Sequence, residues 1–169
     1  MKRLFSLALA AVALPVLAYS QDQQGMQSAQ YNNSPVSDFN LSKYLGRWYE
    51  IARYDHTFER NLVGTTAQYS LRDDGKIKVV NSGYLKTLDG PYQESIGKAK
   101  ARKNGTPGQL EVSFFGPFYG DYDILERAPD YSYSVVGSSS PKYLWILSRT
   151  PQLSTVTKDK ILRNLRHRG

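Results

Sequence analysis

The chain has 169 residues and no cysteine, and its 22 lysines and arginines against 15 aspartates and glutamates give a formal net charge of +7. This length fits one domain with a sizeable core, and the lack of cysteine excludes disulfides, thiol catalysis and iron–sulfur ligation. Lys158, Lys160, Arg163, Arg166 and Arg168 carry most of the excess charge, so the rest of the chain is nearly neutral. A nucleic-acid-binding protein would spread basic residues across its domain, and we therefore expect no nucleic-acid partner.

Residues 1–20 are typical of a secretory signal peptide. Lys2 and Arg3 precede an apolar run over residues 4–17, and small residues follow at the cleavage spacing. The run is short for a bilayer-spanning helix, although an uncleaved anchor is the alternative. We expect an exported protein that is periplasmic, associated with the outer membrane or secreted. Residues 21–37 are rich in Gln, Asn and Ser and are predicted to be a flexible tether, which leaves 38–169 as the folded domain.

Between residues 46 and 149, short strand-like runs alternate with turn signals. Apolar and polar residues alternate in several runs, as in Leu110, Val112 and Phe114 against Glu111 and Ser113. Consecutive short strands with short connections favour an all-β, eight-stranded up-and-down antiparallel barrel. The predicted strands are GRWYEIARYD, TAQYSLR, KIKVVNSGYL, YQESIGKAKARK, QLEVSFF, DYDILE, YSYSVVG and KYLWILSR.

After Pro151 the apolar period becomes that of a helix. Ser154 is the predicted N-cap, and one apolar stripe would pack the helix against the outside of the barrel. The basic residues of this helix are favourable to the helix dipole near its C-terminus, and peripheral contact with an anionic membrane surface is the alternative role. The stripe is formed by Ile161, Leu162 and Leu165.

Strand parity places three segments at one end of such a barrel. The start of the first strand, the connection between the sixth and seventh strands, and the end of the eighth strand share that end. These positions hold Gly46 and Trp48, Asp130 and Tyr131, and Arg149. We predict that they form a closed floor in which Arg149 lies against the indole of Trp48 in a cation–π contact. The longer loops at the opposite end would form the mouth.

The same three segments carry a family resemblance. GRWY at 46–49, DY at 130–131 and SRTP at 148–151 match, in order, the three motifs of the lipocalins, and the chain resembles that family from about residue 39 to 168. The stretches GRWYEIARYDHTFER, YSLRDDG, VSFFGPFYG and YLWILSRTP are similar to the bacterial outer-membrane lipocalins in particular. The resemblance implies a calyx with a C-terminal helix outside it and a lysophospholipid or fatty acid as ligand. Those relatives are usually anchored by a lipidated cysteine, which this sequence lacks.

The predicted interior indicates an apolar cavity. Eight strands close a barrel just wide enough for one small ligand. Small residues on one wall, Gly97 and Ala99, are expected to leave volume, and almost no charge should point inward away from the floor. A barrel packed solid with side chains is the alternative. The predicted ligand-binding residues are Tyr54, Phe58, Ala67, Tyr69, Val79, Val112, Phe114, Tyr122, Ile124, Tyr143 and Trp145.

The polar residues favour a carrier over an enzyme. His56 and His167 are the only histidines, so we expect no metal site and no cofactor. His56 with Asp55 and Glu59 would suit acid–base chemistry, which keeps a lipocalin-fold enzyme acting on a lipophilic substrate as the alternative. Glu50 shares the face of Trp48 and is interpreted as a buried carboxylate tied to floor hydroxyls or to Arg149. The sequence leaves the native ligand and the oligomeric state open.

Overall fold

The structure is a computed structural model that describes residues 31–169. Each strand pairs antiparallel with the next, and the last pairs with the first, so the sheet closes into a barrel. This architecture confirms the predicted eight-stranded up-and-down barrel with a C-terminal helix. The predicted signal peptide and residues 21–30 of the predicted tether lie outside the described residues. The elements are α1 (Leu41–Tyr44), β1 (Gly46–Arg53), β2 (Leu62–Leu71), β3 (Ile77–Leu85), β4 (Tyr92–Ala101), β5 (Gln109–Phe115), β6 (Phe118–Arg127), β7 (Tyr133–Gly137), β8 (Leu144–Ser148) and α2 (Thr155–His167).

The strand pairing shifts at four places, and the shifts in β1 and β2 affect which residues face inward. In β1 the pairing with β8 shifts between Glu50 and Ala52, so strict alternation fails beyond Glu50. In β2 the pairing with β3 shifts between Val63 and Thr66, next to Gly64 at φ +60°. β2 therefore begins within the segment predicted to be a loop. Strict alternation cannot anticipate either shift, because each adds a residue to one strand only.

The closed end of the barrel is filled by a cluster of buried aromatic and aliphatic side chains. Tyr44 and Trp48 are fully buried, with ring centroids 4.8 Å apart. The hydroxyl of Tyr122 is hydrogen-bonded to the hydroxyls of Tyr44 at 2.8 Å and Tyr69 at 2.7 Å. Burial raises the pKa of Tyr44 to about 12, which keeps its hydroxyl neutral. The three hydrogen-bonded tyrosine hydroxyls separate the floor from the interior above it.

Helix α2 covers the outer faces of β6, β7 and β8. Ile161 is fully buried in a second cluster, and Leu165 packs against that cluster. Leu162 is 40% exposed, so its inclusion in the buried stripe was wrong. Asn164 contacts the barrel instead, and its amide donates to both carboxylate oxygens of Glu126 at 3.0 and 3.1 Å. Between residues 31 and 169, neither helix has the length and apolar character needed to cross a bilayer.

Ser154 caps the N-terminus of α2 as predicted, and its hydroxyl accepts a hydrogen bond from the backbone N–H of Thr157 at 3.1 Å. We expect Ser154→Ala to lower the free energy of unfolding by about 1 kcal/mol, because this N–H loses its partner. Urea denaturation measures the change. Val156→Ala, at an exposed position of the same first turn, is the matched control and should change stability by less than about 0.5 kcal/mol. Equal effects would contradict the cap's contribution.

The described end of the predicted tether contacts the barrel. The N–H of Val36 donates to the carbonyl of Ile124 at 2.8 Å, and its side chain packs on the interior cluster. The N–H of Asn32 donates to the carbonyl of Arg168 at 2.8 Å, and the Arg168 guanidinium donates to the carbonyls of Asn32 and Ser34. These bonds join residues 32–36 to β6 and to the end of α2.

Candidate ligand-binding cavity

Arg149 closes the floor of the barrel. Its guanidinium carbon lies 3.7 Å from the centroid of the Trp48 ring, so the predicted cation–π contact is present. The indole N–H of Trp48 donates to the carbonyl of Tyr44 at 2.8 Å, which fixes the ring under the guanidinium. The Arg149 guanidinium also donates to four backbone carbonyls, at Lys43, Tyr44, Leu45 and Arg47. These bonds tie the end of β8 to α1, a helix that the sequence reading did not anticipate.

The other floor residues shape the loops that meet Arg149. Gly46 has φ +96°, a left-handed conformation that favours glycine. The hydroxyl of Tyr131 accepts a hydrogen bond from the N–H of Asn40 at 2.7 Å. The carboxylate of Asp130 accepts from the N–H of Ser132 at 3.0 Å, and hydrogen bonds from Ser132 hold the pKa of Asp130 below its usual value. The parity argument therefore placed these residues at the correct end of the barrel.

Above the three tyrosine hydroxyls the barrel is open. An inner cavity of about 120 Å³ continues into an outer chamber of about 380 Å³. The alternative of a barrel packed solid is wrong. The outer chamber reaches the exposed rings of Phe115 and Phe118 at the tip of the β5–β6 hairpin. Both spaces share Phe58, Glu59, Thr65, Asn81, Val112 and Phe114 in their walls.

Most of the predicted ligand-binding residues line this interior. Ile124 is fully buried in the floor cluster below the cavity, and Tyr143 lines a side recess with Phe58 and Trp145. Tyr54 lies apart from the cavity and is 53% exposed, because the shift in β1 breaks the alternation that would have turned it inward. The predicted residues that line the inner cavity are Phe58, Ala67, Tyr69, Val79, Val112, Phe114, Tyr122 and Trp145.

The small residues of β4 do not provide the cavity volume. A Cβ atom on Gly97 would lie 2.8 Å from Cδ1 of Phe114, so the ring of Phe114 already fills the space over this glycine. Ala99 is buried in the floor cluster. The expectation that these two positions leave volume was wrong, because a neighbouring aromatic ring or the packed core occupies the space. The cavity instead lies along β2 and β3, where Ala67 and Val79 line it.

Two carboxylates face the cavity, so the expectation of an almost uncharged interior was wrong. Glu50 and Glu59 both line the inner cavity, and each side chain is only 7% exposed. The Glu50 carboxylate forms an ion pair with Arg53, whereas the sequence reading assigned it to floor hydroxyls or to Arg149. The β1 shift explains this difference, since it brings Arg53 beside Glu50. Burial, together with the nearby charge of Glu59, raises the pKa of Glu50 to about 7.

In the loop between β1 and β2, His56 and Glu59 are buried, whereas their neighbours are exposed. His56 is buried, stacks on Phe58 at a centroid distance of 3.9 Å and lies 5.2 Å from the Trp145 ring. Glu59 accepts a hydrogen bond from the Trp145 indole at 3.0 Å, and Nε2 of His56 also lies 3.0 Å from this carboxylate. Burial lowers the pKa of His56.

The predicted acid–base trio is not assembled. His56 and Glu59 are adjacent, but Asp55 is exposed and forms a 3.0 Å ion pair with Arg60. Within residues 31–169, no group of three or more His, Asp or Glu side chains is arranged to hold a metal ion.

Several cavity residues were missed by the sequence reading. Asn81 lies two residues after Val79 on the same face of β3, so alternation alone would have found it. Thr65 lies beside the β2 shift, and Glu59 lies in the loop, where no periodic signal reports the direction of a side chain. Glu59 and Thr65 line both the inner cavity and the outer chamber.

Comparisons with known proteins agree with this geometry. Residues 39–169 match the model of the lipocalin-like domain. The chain is 48% identical over 136 residues to the outer membrane lipoprotein Blc of Vibrio cholerae, which covers 80% of this chain and 79% of that protein. It is 49% identical over 127 residues to the Blc protein of Escherichia coli K12, covering 75% and 71% of the two chains.

A plant relative and a solved structure extend the likeness. Temperature-induced lipocalin-1 of Arabidopsis thaliana is 35% identical over 142 residues, covering 79% of this chain and 75% of that protein. The structure of insecticyanin from the tobacco hornworm Manduca sexta superposes with a TM-score of 0.63 at 26% identity, covering 80% of this chain and 78% of that one. The floor motifs, the closed barrel with its interior cavity, and these matches agree, and the chain belongs to the lipocalin family.

Proposed function

We propose that this lipocalin is a non-enzymatic carrier that holds one lysophospholipid or fatty acid in its barrel. The observation that carries the proposal is the mainly apolar cavity that continues from the tyrosine hydroxyls to the outer chamber. The close relatives named above are outer membrane lipoproteins, and the predicted signal peptide supports export to the cell envelope. The sequence contains no cysteine, so it differs in this respect from the lipidated relatives that it resembles.

The expected affinity is that of a carrier that releases its ligand. Each buried methylene contributes about 0.8 kcal/mol, so ten of them contribute about 8 kcal/mol. Ordering the ligand and losing its free motion cost several kcal/mol, and polar contacts to the head group are expected to restore part of this, which gives a dissociation constant on the order of micromolar. Lys158, Lys160 and Arg163 are exposed on α2, and their contact with anionic lipid surfaces stays a prediction.

The position of the two tryptophans tests the carrier function. Trp145 lines the inner cavity, whereas Trp48 lies in the floor cluster behind Tyr44. We therefore expect a brominated acyl chain to quench the fluorescence of Trp145 strongly and that of Trp48 weakly. Trp48→Phe and Trp145→Phe leave one tryptophan each and separate the two signals.

A cavity-filling variant provides the second measurement. Ala67→Phe adds a ring inside the cavity, and we expect acyl-chain affinity to fall by about ten-fold or more, since the ring replaces ligand methylenes. Gln68→Phe places the same ring on the opposite face of β2 and should leave affinity unchanged. If Trp145 is not quenched and Ala67→Phe binds normally, the ligand does not occupy the barrel.

A further inference from the structure

The inner cavity has one polar patch in an otherwise mainly apolar wall. The patch consists of Glu50, Glu59, Thr65 and Asn81, and we refer to it as the acceptor patch. Glu59, Thr65 and Asn81 also line the outer chamber, so the acceptor patch lies where the two spaces join. A ligand that extends from one space into the other passes this patch.

In and beside the acceptor patch, one guanidinium lies close to two carboxyl groups. Arg53 pairs with Glu50, and its Nη2 donates to the backbone carbonyls of Glu59 at 2.7 Å and Leu62 at 3.2 Å. The Nε atom of Arg53 lies 4.0 Å from the Glu59 carboxylate. Burial lowers the pKa of His56, so this neighbour is neutral near pH 7. Glu50 is only partly ionised near pH 7, because its pKa is raised to about 7, and within residues 31–169 the Glu59 carboxylate has no closer cationic nitrogen than the Arg53 Nε at 4.0 Å.

Two further oxygens in the acceptor patch lack a partner among the described residues. The side-chain oxygens of Thr65 and Asn81 are buried and make no hydrogen bond with residues 31–169. Thr65 as a whole is only 6% exposed. Buried polar atoms are nearly always hydrogen-bonded, because a missing partner destabilises the folded state. A ligand that donates hydrogen bonds would satisfy these oxygens.

We infer that the acceptor patch binds the protonated primary amine of an amphiphile whose apolar chain lies against the apolar walls of the two spaces. An ammonium group supplies three N–H donors and one positive charge. The donors would satisfy the oxygens of Thr65 and Asn81, and the positive charge would pair with the Glu59 carboxylate. A fatty-acid carboxylate would bring only acceptors and a like charge to the same place. The chain would contact Phe114, Phe115 and Phe118 in the outer chamber. The inference rests on the proposed carrier function and narrows its ligand class to amine-bearing amphiphiles.

Three probes of equal chain length separate the contribution of charge to the affinity from that of hydrogen-bond donation. Dodecylamine has charge and donors, dodecyltrimethylammonium has charge without donors, and dodecanoate has the opposite charge. Calorimetric titration below the micelle concentration should give affinities in that descending order, with dodecylamine at least about ten-fold tighter than dodecanoate, as expected for a charge-assisted hydrogen bond. Dodecanoate binding as tightly as dodecylamine would overturn the inference and leave the carrier function intact.

Variants assign the preference to the acceptor patch. Glu59→Gln should reduce the ratio of dodecylamine to dodecanoate affinity by about ten-fold, because it removes the carboxylate charge that would pair with the ammonium group. Asp73→Asn removes a charge from the exposed β2–β3 turn, away from both spaces, and should leave the ratio unchanged. Asn81→Leu is a second variant that removes an acceptor without changing charge, and it should lower dodecylamine affinity while sparing dodecanoate.

The outcomes distinguish the two proposals. If Glu59→Gln and Asn81→Leu both fold, as circular dichroism would show, and keep the wild-type ratio, the acceptor patch does not select the ligand. If no probe and no lysophospholipid binds the wild-type protein, the carrier function itself fails and the inference fails with it.

Discussion

Trp48→Ala is expected to lower the free energy of unfolding by about 3–5 kcal/mol, the largest effect of any single change considered. The indole is fully buried between Tyr44 and the guanidinium of Arg149, and its N–H is bonded to the Tyr44 carbonyl. Removal leaves a cavity in the floor and takes away the cation–π partner of Arg149, and both losses destabilise the fold. Denaturant unfolding followed by far-UV circular dichroism measures the loss without relying on tryptophan fluorescence.

Arg149→Ala should cost about 2–3 kcal/mol, because charged hydrogen bonds to four carbonyls and a cation–π contact are lost together. Arg47 is exposed at the same end of the barrel as Arg149, so Arg47→Ala is the matched control. It should change stability by less than about 0.5 kcal/mol. In a double-mutant cycle, Trp48 and Arg149 should show a coupling of about 1 kcal/mol, since they share one contact. Additive losses would mean that the two side chains stabilise the floor independently.

The floor could be predicted from sequence because it depends on topology. Once eight alternating strands are recognised, parity alone decides that Trp48 and Arg149 share an end, and no detail of side-chain packing is needed. The bonds from Arg149 to α1 could not be predicted in the same way. They depend on a four-residue helix whose N-cap, Asn40, accepts from the N–H of Lys43, a signal too short to stand out.

The cavity was predictable only where the strands are regular. Alternation identified Ala67, Tyr69 and Val79, which line the cavity along an unbroken stretch of β2–β3 pairing. Alternation failed at Tyr54, which lies beyond the β1 shift. It gave no information on Glu59, because that residue lies in a loop. Local irregularities thus determine the charged part of the cavity, whereas the apolar part follows from the strand period.

Glu50 should make the stability of the protein fall as pH rises from about 5 to 8. Its folded-state pKa is raised to about 7 from an ordinary value of 4.5, so the native state holds a proton that the unfolded state has already released. Stability from this group is fully present below pH 4.5 and is lost as pH rises through 7. This difference in pKa corresponds to about 3 kcal/mol in the free energy of unfolding. The Glu50 side chain is almost completely buried, so solvent screening removes little of this amount.

Glu50→Gln isolates this contribution, because the amide cannot ionise and its oxygen can still accept from Arg53. We expect the free energy of unfolding of the variant, taken relative to that of the wild type, to be about 3 kcal/mol higher at pH 8 than at pH 5. Urea unfolding at the two pH values measures this difference. The other ionisable groups are the same in both proteins, so their contributions largely cancel in the difference. Glu94→Gln, which removes a more exposed carboxylate, should follow the wild-type pH dependence. If Glu50→Gln and the wild type lose stability in parallel, Glu50 is ionised in the folded protein at pH 5, and the cavity is more hydrated around this carboxylate than its burial indicates.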